Sequence, residues 1–317
     1  MLIIDSKERD PWFNLASEEH LFRDSDNEFL ILYINEASVI IGKHQNPAEE
    51  INTRFLRENN IPFVRRISGG GTVYHDEGNL NYTFISTRQG SARFDFSYFR
   101  SLLISFLASL GIDAYEGEKN EIRTGGLKIS GNAEHVFRDR IMHHGTVLFS
   151  ADLQKMSGCL ARSEARIKSR AVQSNRTRVT NLEGMITGIK STEDLKKAFV
   201  DYIRKTNDEA TVYDFSDEEI RRIKRLKDEK FTSWEWNYAY GPDYNFSKDF
   251  TEGGDNVSIE LEVSKGIIRT CKCSGPVLYN SMNDLLPGTR HCYEGIAERT
   301  LEAGYREDKE LIYNFLM

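Results

Sequence analysis

Residues 79–84, "NLNYTF", interleave polar Asn79, Asn81 and Thr83 with apolar Leu80, Tyr82 and Phe84. A period of two puts the two sets on opposite faces of a strand. The β-rich runs "EFLILYIN", "SVIIGKHQ" and "IPFVRRIS" precede it, the first two joined at Glu36–Ala37 as an expected hairpin. "IDAYEG", "LKISGNAEHVF" and "RIMHHGTVLFSAD" read as strands of one sheet. Between them, "PWFNLASEEHLFRD" reads as a helix capped by Asn14, with Glu18 and Glu19 in its first turns and Leu15, Leu21 and Phe22 on an apolar stripe. "NTRFLRENN" is a short helix ended by Asn59–Asn60, and "DFSYFRSLLISFLASLG" an amphipathic one with Gly111 just past its end. Strands dominate this half without a βαβ rhythm, so the fold class is α+β.

Residues 162–178, "RSEARIKSRAVQSNRTR", break the pattern: six basic residues and one acidic one in seventeen positions predict a mobile loop. Two helices follow, "STEDLKKAFVDYIRKTN" and "SDEEIRRIKRLKDEKF", the second opened by a Ser216–Glu219 capping box. Past Gly241–Pro242 the composition changes. "NVSIELEVSKGIIRTCKCS" predicts a hairpin turning at Lys265–Gly266, and "SMNDLLPG" and "CYEGIAERTLEAG" predict helices. We expect a domain over residues 1–245 and a small α+β domain over residues 246–317.

With 317 residues, 39% hydrophobic and 29% charged, this is the composition of a soluble globular protein with a sizeable core. A net charge of −7 argues against a nucleic-acid partner. No signal peptide is expected in "MLIIDSKERDPWF", and the apolar run Phe29–Ile34 is far too short to span a membrane. Four cysteines in such a chain fit a reducing cytosol better than a disulfide framework.

Candidate chemistry gathers in "RRISGGGTVYHDEGNLNYT", residues 65–83. Consecutive glycines persist where positive φ or close backbone approach is needed, and their N–H groups can line an anion site. Arg65 and Arg66 alternate across a strand. His75 and Asp76 fit either a ligand contact or a pair bracing the loop. The spacing is neither that of a Walker loop nor of a dinucleotide fingerprint. In "GLKISGNAEHVFRDRIMHHGT", Lys128 and Ser130 are expected on one strand face, a lysine there offering a point charge to phosphate or carboxylate. His143 and His144 face opposite ways and make a poor metal pair.

These stretches together resemble the lipoate–protein ligase A family. The shared pattern is Arg65, Arg66, Ser68 to Gly71, then His75, Asp76, Gly78 and Asn79; later come Lys128, Ser130, Gly131 and Ala133, and then His144 to Leu148. "IIGKHQNP" at 40–47, "RTRVTNL" at 176–182 and "WEWNY" at 234–238 also match. The resemblance implies the biotin/lipoate ligase fold, related to class II aminoacyl-tRNA synthetase catalytic cores, with a small accessory domain. It implies an ATP-dependent enzyme that converts lipoate to lipoyl-AMP, then passes the lipoyl group to a lysine. The acceptors would be lipoyl domains of 2-oxoacid dehydrogenase acyltransferase subunits and the glycine cleavage H protein, met by a cytoplasmic monomer.

In that resemblance Lys128 is the central cation. The lipoyl-adenylate contacts are Arg66, Ser68, Gly69, Gly70, Gly71, Thr72, Val73, Tyr74, His75, Asn79 and His144. Arg170, Arg176 and Arg178 belong to an adenylate-binding loop, and Glu121 stands where the family commonly has an aspartate holding Mg²⁺. The rival of the same fold, an ATP-independent lipoyl or octanoyl transferase, needs a pocket cysteine. None occurs between Ser68 and Leu148. A non-catalytic lipoyl or nucleotide carrier would have less use for the charge of Lys128. The pair Cys271 and Cys273, near His291 and Cys292, reads as buried thiols rather than a zinc site.

Overall fold

The computed structural model describes residues 1–87, 96–161, 163–175 and 177–317. The chain divides into two compact units. The first takes Met1–Gly42, Val64–Leu153 and Asn175–Thr232; the second takes Lys43–Phe63, Gln154–Ser174 and Ser233–Met317.

The first unit is built on eight strands: β1 (Leu2–Asp5), β2 (Phe29–Tyr33), β6 (Asn79–Thr87), β7 (Ala114–Glu116), β8 (Glu121–Thr124), β9 (Leu127–Phe137), β10 (Arg140–Leu148) and β12 (Thr211–Val212). Their order is β12-β1-β2-β6-β10-β9-β8-β7, antiparallel except where β1 meets β2 and β12. A three-stranded sheet, β4-β3-β5, holds β3 (Ser38–Ile41), β4 (Phe63–Arg65) and β5 (Val73–His75). Helices α1 (Pro11–Asp24), α4 (Ser97–Ser109), α6 (Thr192–Thr206) and α7 (Asp217–Leu226) complete the unit.

Alternation along β6 sorts the two faces. Leu80, Tyr82 and Phe84 join the core made with Phe99, Phe106 and Phe199 of α4 and α6. Asn79, Asn81 and Thr83 point the other way, yet each is almost fully buried. A buried polar face must be hydrogen-bonded to be tolerated, and it is on this face that the candidate residues gather.

The second unit carries a four-stranded sheet, β11-β13-β14-β15, formed by β11 (Arg166–Ser169), β13 (Tyr244–Glu252), β14 (Asp255–Ser264) and β15 (Ile267–Ser274). Its helices are α2 (Pro47–Glu50), α3 (Thr53–Glu58), α5 (Leu153–Cys159), α8 (Val277–Leu285), α9 (Tyr293–Glu302) and α10 (Lys309–Asn314). The β14–β15 hairpin turns at Lys265 and Gly266, φ 50° and 69°, where expected. The Ser216–Glu219 capping box and the αL glycine at Gly111 are also present.

Three expectations are corrected. Glu36–Ala37 does not close a hairpin: both edges of β2 are taken by β1 and β6, and β3 pairs in the other sheet. Helix α1 starts at Pro11, whose fixed φ suits the first position, and Asp10 caps it by accepting from Trp12 and Phe13 N–H; Asn14 lies inside the helix. Finally, the described part of residues 162–178, expected as a mobile loop, contains a strand. Arg166–Ser169 form an edge strand, because Ile167 packs into the second unit's core while Arg166 and Lys168 face outward. The following residues are strapped to the "KHQNPAEE" segment by Gln45, Glu49 and Glu50, which bond Val172, Ser169 and Ser174.

Candidate active site

The glycine loop is wound around Arg66. Its Nε donates to Ser68 Oγ (2.9 Å), Nη1 to the Ile40 carbonyl (3.1 Å), and Nη2 to the carbonyls of Gly69 (2.6 Å) and Gly71 (2.7 Å). In a planar trans peptide the N–H points opposite to the C=O, so the amides of Gly70 and Thr72 are directed away from the guanidinium. Gly70 has φ +83°, and a Cβ there would lie 3.1 Å from Arg66 Nη2 and 3.4 Å from Ala133 Cβ. Both conformation and space therefore demand glycine. Burial lowers Arg66 to about 10, which still leaves it charged at neutral pH.

Ser68 Oγ is 2.6 Å from His144 Nε2, and His144 Nδ1 lies 3.1 Å from Glu18 Oε2. Glu18, from the middle of α1, is 1% exposed and also accepts from the hydroxyls of Tyr33 (2.9 Å) and Thr83. Burial alone would raise its pKa, but His144 beside it and these donors outweigh that and hold the carboxyl below its ordinary value. The carboxylate needs Nδ1–H on His144, which leaves Nε2 to accept from Ser68. A continuous bonded path thus runs from α1 to the glycine loop. His143 points to the opposite face and stacks on Phe99, as the alternation of β10 requires.

Lys128 reaches the same face through a β-bulge. Opposite β8, Ile122 pairs with Ser130 and Arg123 with Lys128, leaving Ile129 as an extra residue. Ile129 joins the core and Ser130 lies beside Tyr82, whereas the Lys128 ammonium turns back over Gly131. This corrects the expectation that Lys128 and Ser130 share a face: a bulge shifts parity and re-aims a side chain. Beyond the bulge, Lys128 N–H donates to the Arg178 carbonyl and Thr180 N–H donates to the Lys128 carbonyl, both at 3.0 Å. Burial pulls the ammonium below the usual lysine range, partly countered by Glu121. Glu121 Oε1 is taken by Arg123 (2.6 Å), while Oε2 lies 3.9 Å from Lys128 Nζ.

His75, on β5, accepts at Nδ1 from Asn35 (3.0 Å). Asp76 accepts instead from Gly78 N–H (2.9 Å) and Asp152 N–H (2.8 Å), so the two are braced by different partners. Asn79 donates to Asn81 (2.9 Å). Val73 and Tyr74 lie on β5. Arg178 is exposed on the segment paired with Lys128, Arg170 is exposed in the second unit, and Arg176 lies outside the described residues.

Sequence reasoning missed Glu18, Tyr33, Thr83, Asn14 and Asn35. Burial of a helix-centre glutamate leaves no local signature. The strand alternation did flag Thr83, but not its partner.

Residues 10–204 match the family described as the lipoyl protein ligase A/B catalytic domain. Over 280 residues the chain is 37% identical to lipoate-protein ligase LplJ of Bacillus subtilis, covering 87% of this chain and 85% of that protein. Protein Ta0514 of T. acidophilum, solved with bound lipoic acid, superposes with a TM-score of 0.63 at 27% identity over 74% of this chain and 98% of its own. A lipoate-protein ligase A solved with ATP gives 0.62 at 26% identity over 74% of this chain and 97% of its own. Both the catalytic-domain match and the relative 37% identical over most of the chain lead to one conclusion: the chain belongs to the lipoate–protein ligase family.

Proposed function

We infer that this chain is an ATP-dependent lipoate–protein ligase acting by two half-reactions. A lipoate carboxylate oxygen attacks the α-phosphorus of ATP, the bond to pyrophosphate breaks, and lipoyl-AMP forms. The ε-amine of an acceptor lysine then attacks the acyl carbon, AMP leaves, and an amide results.

The observation that carries this reading is the position of Lys128 on the bulge, beside Gly131 and with its side chain only 25% exposed. Bringing two anions together needs a fixed cation and oriented amides. Lys128 supplies the cation to the carboxylate and α-phosphate, and the loop held by Arg66 and Ser68 supplies amides, with His75, Asn79 and His144 around it. Val73 suits the apolar dithiolane end. We assign Arg170, Arg176 and Arg178 to adenylate binding. Among the described residues no three potential ligands cluster, so Mg²⁺ fits only as magnesium usually binds, through one carboxylate and substrate phosphates. Glu121 Oε2, left open by Arg123, would hold it, and its charge would offset that of the phosphates.

We assign catalysis to residues 1–245 and an accessory role to residues 246–317. The acceptors proposed are lipoyl domains of acyltransferase subunits and the glycine cleavage H protein. No helix among the described residues is long and apolar enough to cross a membrane; four buried free cysteines suit a reducing compartment, and we assign the chain as a cytoplasmic monomer. The test is pyrophosphate release from ATP, with and without lipoate, in wild type and Lys128→Ala. Lipoate-dependent release lost in the variant supports the reading. No release from wild type overturns it, and release untouched by the substitution removes Lys128 from the centre.

A further inference from the structure

A chain of four buried polar side chains ends on His75, and its bond directions follow one another without choice. Asn14 Nδ2 lies 2.9 Å from the Glu8 carbonyl, which can only accept. The nitrogen end of that amide is therefore fixed, and its Oδ1 is left to accept from Ser6 (3.1 Å). The same nitrogen lies 2.8 Å from Asn35, so Asn35 must present oxygen to it. Asn35 then has only its NH₂ to offer His75 Nδ1 at 3.0 Å. An N–H pointing at Nδ1 makes Nδ1 the lone-pair nitrogen. The proton of the neutral ring thus sits on Nε2.

Among the described residues that Nε2–H has no hydrogen-bond partner, although His75 is only 4% exposed. A buried donor left unpaired is unfavourable, and a relay that aims one is an odd use of four buried residues unless something is to be met. The titratable groups acting on the ring are Arg66, just past β4, and His144, on β10; Asn35, just past β2, and Asn14 of α1 behind it are neutral. Burial first, then Arg66 and His144, lower the ring to about 3. It is neutral throughout the working range. Protonation would also set Nδ1–H against the Asn35 N–H.

We propose that Asn14 and Asn35 fix the tautomer of His75, so that its Nε2–H donates to an oxygen of the acyl-phosphate being formed. Asn14 and Asn35 are then positioning residues. A neutral donor suits this place. Arg66 and Lys128 already supply charge, and a third fixed cation would bind ground-state carboxylate and phosphate as strongly as the transition state, without accelerating the step. The oxygen belongs either to the lipoate carboxyl or to the α-phosphate; the chemistry of donation is the same.

This inference rests on the ligase reading, and its test is separable from that of the reading. Asn35→Asp replaces the donor facing Nδ1 with a carboxylate acceptor. Nδ1 must then carry the proton, so the neutral ring offers a lone pair at Nε2. Acid restores Nε2–H by forming the imidazolium, which the new carboxylate also favours. Lipoate-dependent pyrophosphate release is measured for wild type and Asn35→Asp across pH. The expected activity of the variant is roughly wild-type at low pH and falls on the order of 10²-fold relative to wild type as pH rises through the His75 pKa. A variant-to-wild-type ratio that does not change with pH overturns the proposal, whatever its size. Absence of release in wild type is instead a failure of the ligase reading.

Should Asn35→Asp not fold, ¹⁵N NMR of imidazole-labelled wild type reads the tautomer directly. An Nε2–H ring whose proton shifts on adding lipoate alone places the carboxyl oxygen there; a shift with ATP alone places the phosphate. An Nδ1–H ring, or an Nε2–H signal unmoved by both substrates together, overturns it.

Discussion

The ammonium of Lys128 lies 3.0 Å from the place a Cβ on Gly131 would occupy. Gly131 has no positive φ and no backbone atom close to that Cβ, so a methyl there would meet only the mobile end of a side chain. Gly131→Ala should therefore fold normally, with a change in stability below about 1 kcal/mol. It should nonetheless push the amine by a few tenths of an ångström and cost roughly tenfold or more in adenylation rate. Melting temperature and pyrophosphate release on one preparation check both halves. Full activity in Gly131→Ala would mean that the ammonium is not held where the bulge puts it.

Glu18 makes a pH-dependent contribution with a definite sign. Burial pushes its carboxyl up, and His144, Thr83 and Tyr33 together outweigh that and bring it below the ordinary 4.5. A folded-state value below the unfolded one means that the stabilisation is complete above about 4.5 and is withdrawn as pH falls through the folded value. In Glu18→Gln the amide NH₂ must face at least one donor, at a cost of about 1–3 kcal/mol. Urea midpoints of wild type and variant should differ most near neutrality and converge in acid. A gap that stays constant down to pH 3 would remove the carboxylate from the account.

Arg66 cannot be replaced by another cation. Its fork reaches four acceptors on three sides, two of them loop carbonyls. A lysine offers three donors from one atom and cannot span them. Arg66→Lys should lose about 2 kcal/mol of stability, because carbonyls of Gly69 and Gly71 lose a charged donor. KM for ATP and for lipoate should both rise, since the loop amides lose their common frame. A variant with raised KM but an unchanged melting curve would show that Arg66 acts on substrate directly rather than by shaping the loop.

What was legible in the chain depended on how local its cause was. The glycine loop could be read, because only glycine takes φ +83° beside a guanidinium. The sorting of Leu80, Tyr82 and Phe84 from Asn79, Asn81 and Thr83 could also be read, since parity is a property of the strand itself. That parity fails at Ile129 could not, because a bulge is set by the partner strand β8. Likewise, nothing near Glu36–Ala37 reveals that both edges of β2 are occupied from residues far away in sequence. Within the basic run 162–178 the strand Arg166–Ser169 was missed, since composition outweighed one apolar side chain, Ile167, at the right alternation. Glu18 was invisible for the same reason as the bulge: its three donors come from β2, β6 and β10.

Gly78 lies in the same sequence motif as the loop, but its reason is different. Its φ is not positive, so conformation does not require glycine. Space does: a Cβ would lie 2.2 Å from the carbonyl carbon and oxygen of Ser150 and 2.3 Å from Ala151 N. These are backbone atoms, and they are pinned. Phe149 and Ser150 N–H both donate to the Gly78 carbonyl at 2.9 Å, and Asp76 ties Gly78 N–H to Asp152 N–H through its two oxygens. Relief of the clash must break that set, so Gly78→Ala should cost about 3 kcal/mol or more and lower the melting temperature by several degrees. Gly69→Ala is the control for stability, with nothing within 4 Å of its Cβ and no positive φ. Its melting point should stay near that of wild type. Equal melting of both variants would mean that β6 and the end of β10 separate at little cost, and the rigid support attributed to the loop would have to come from Arg66 alone.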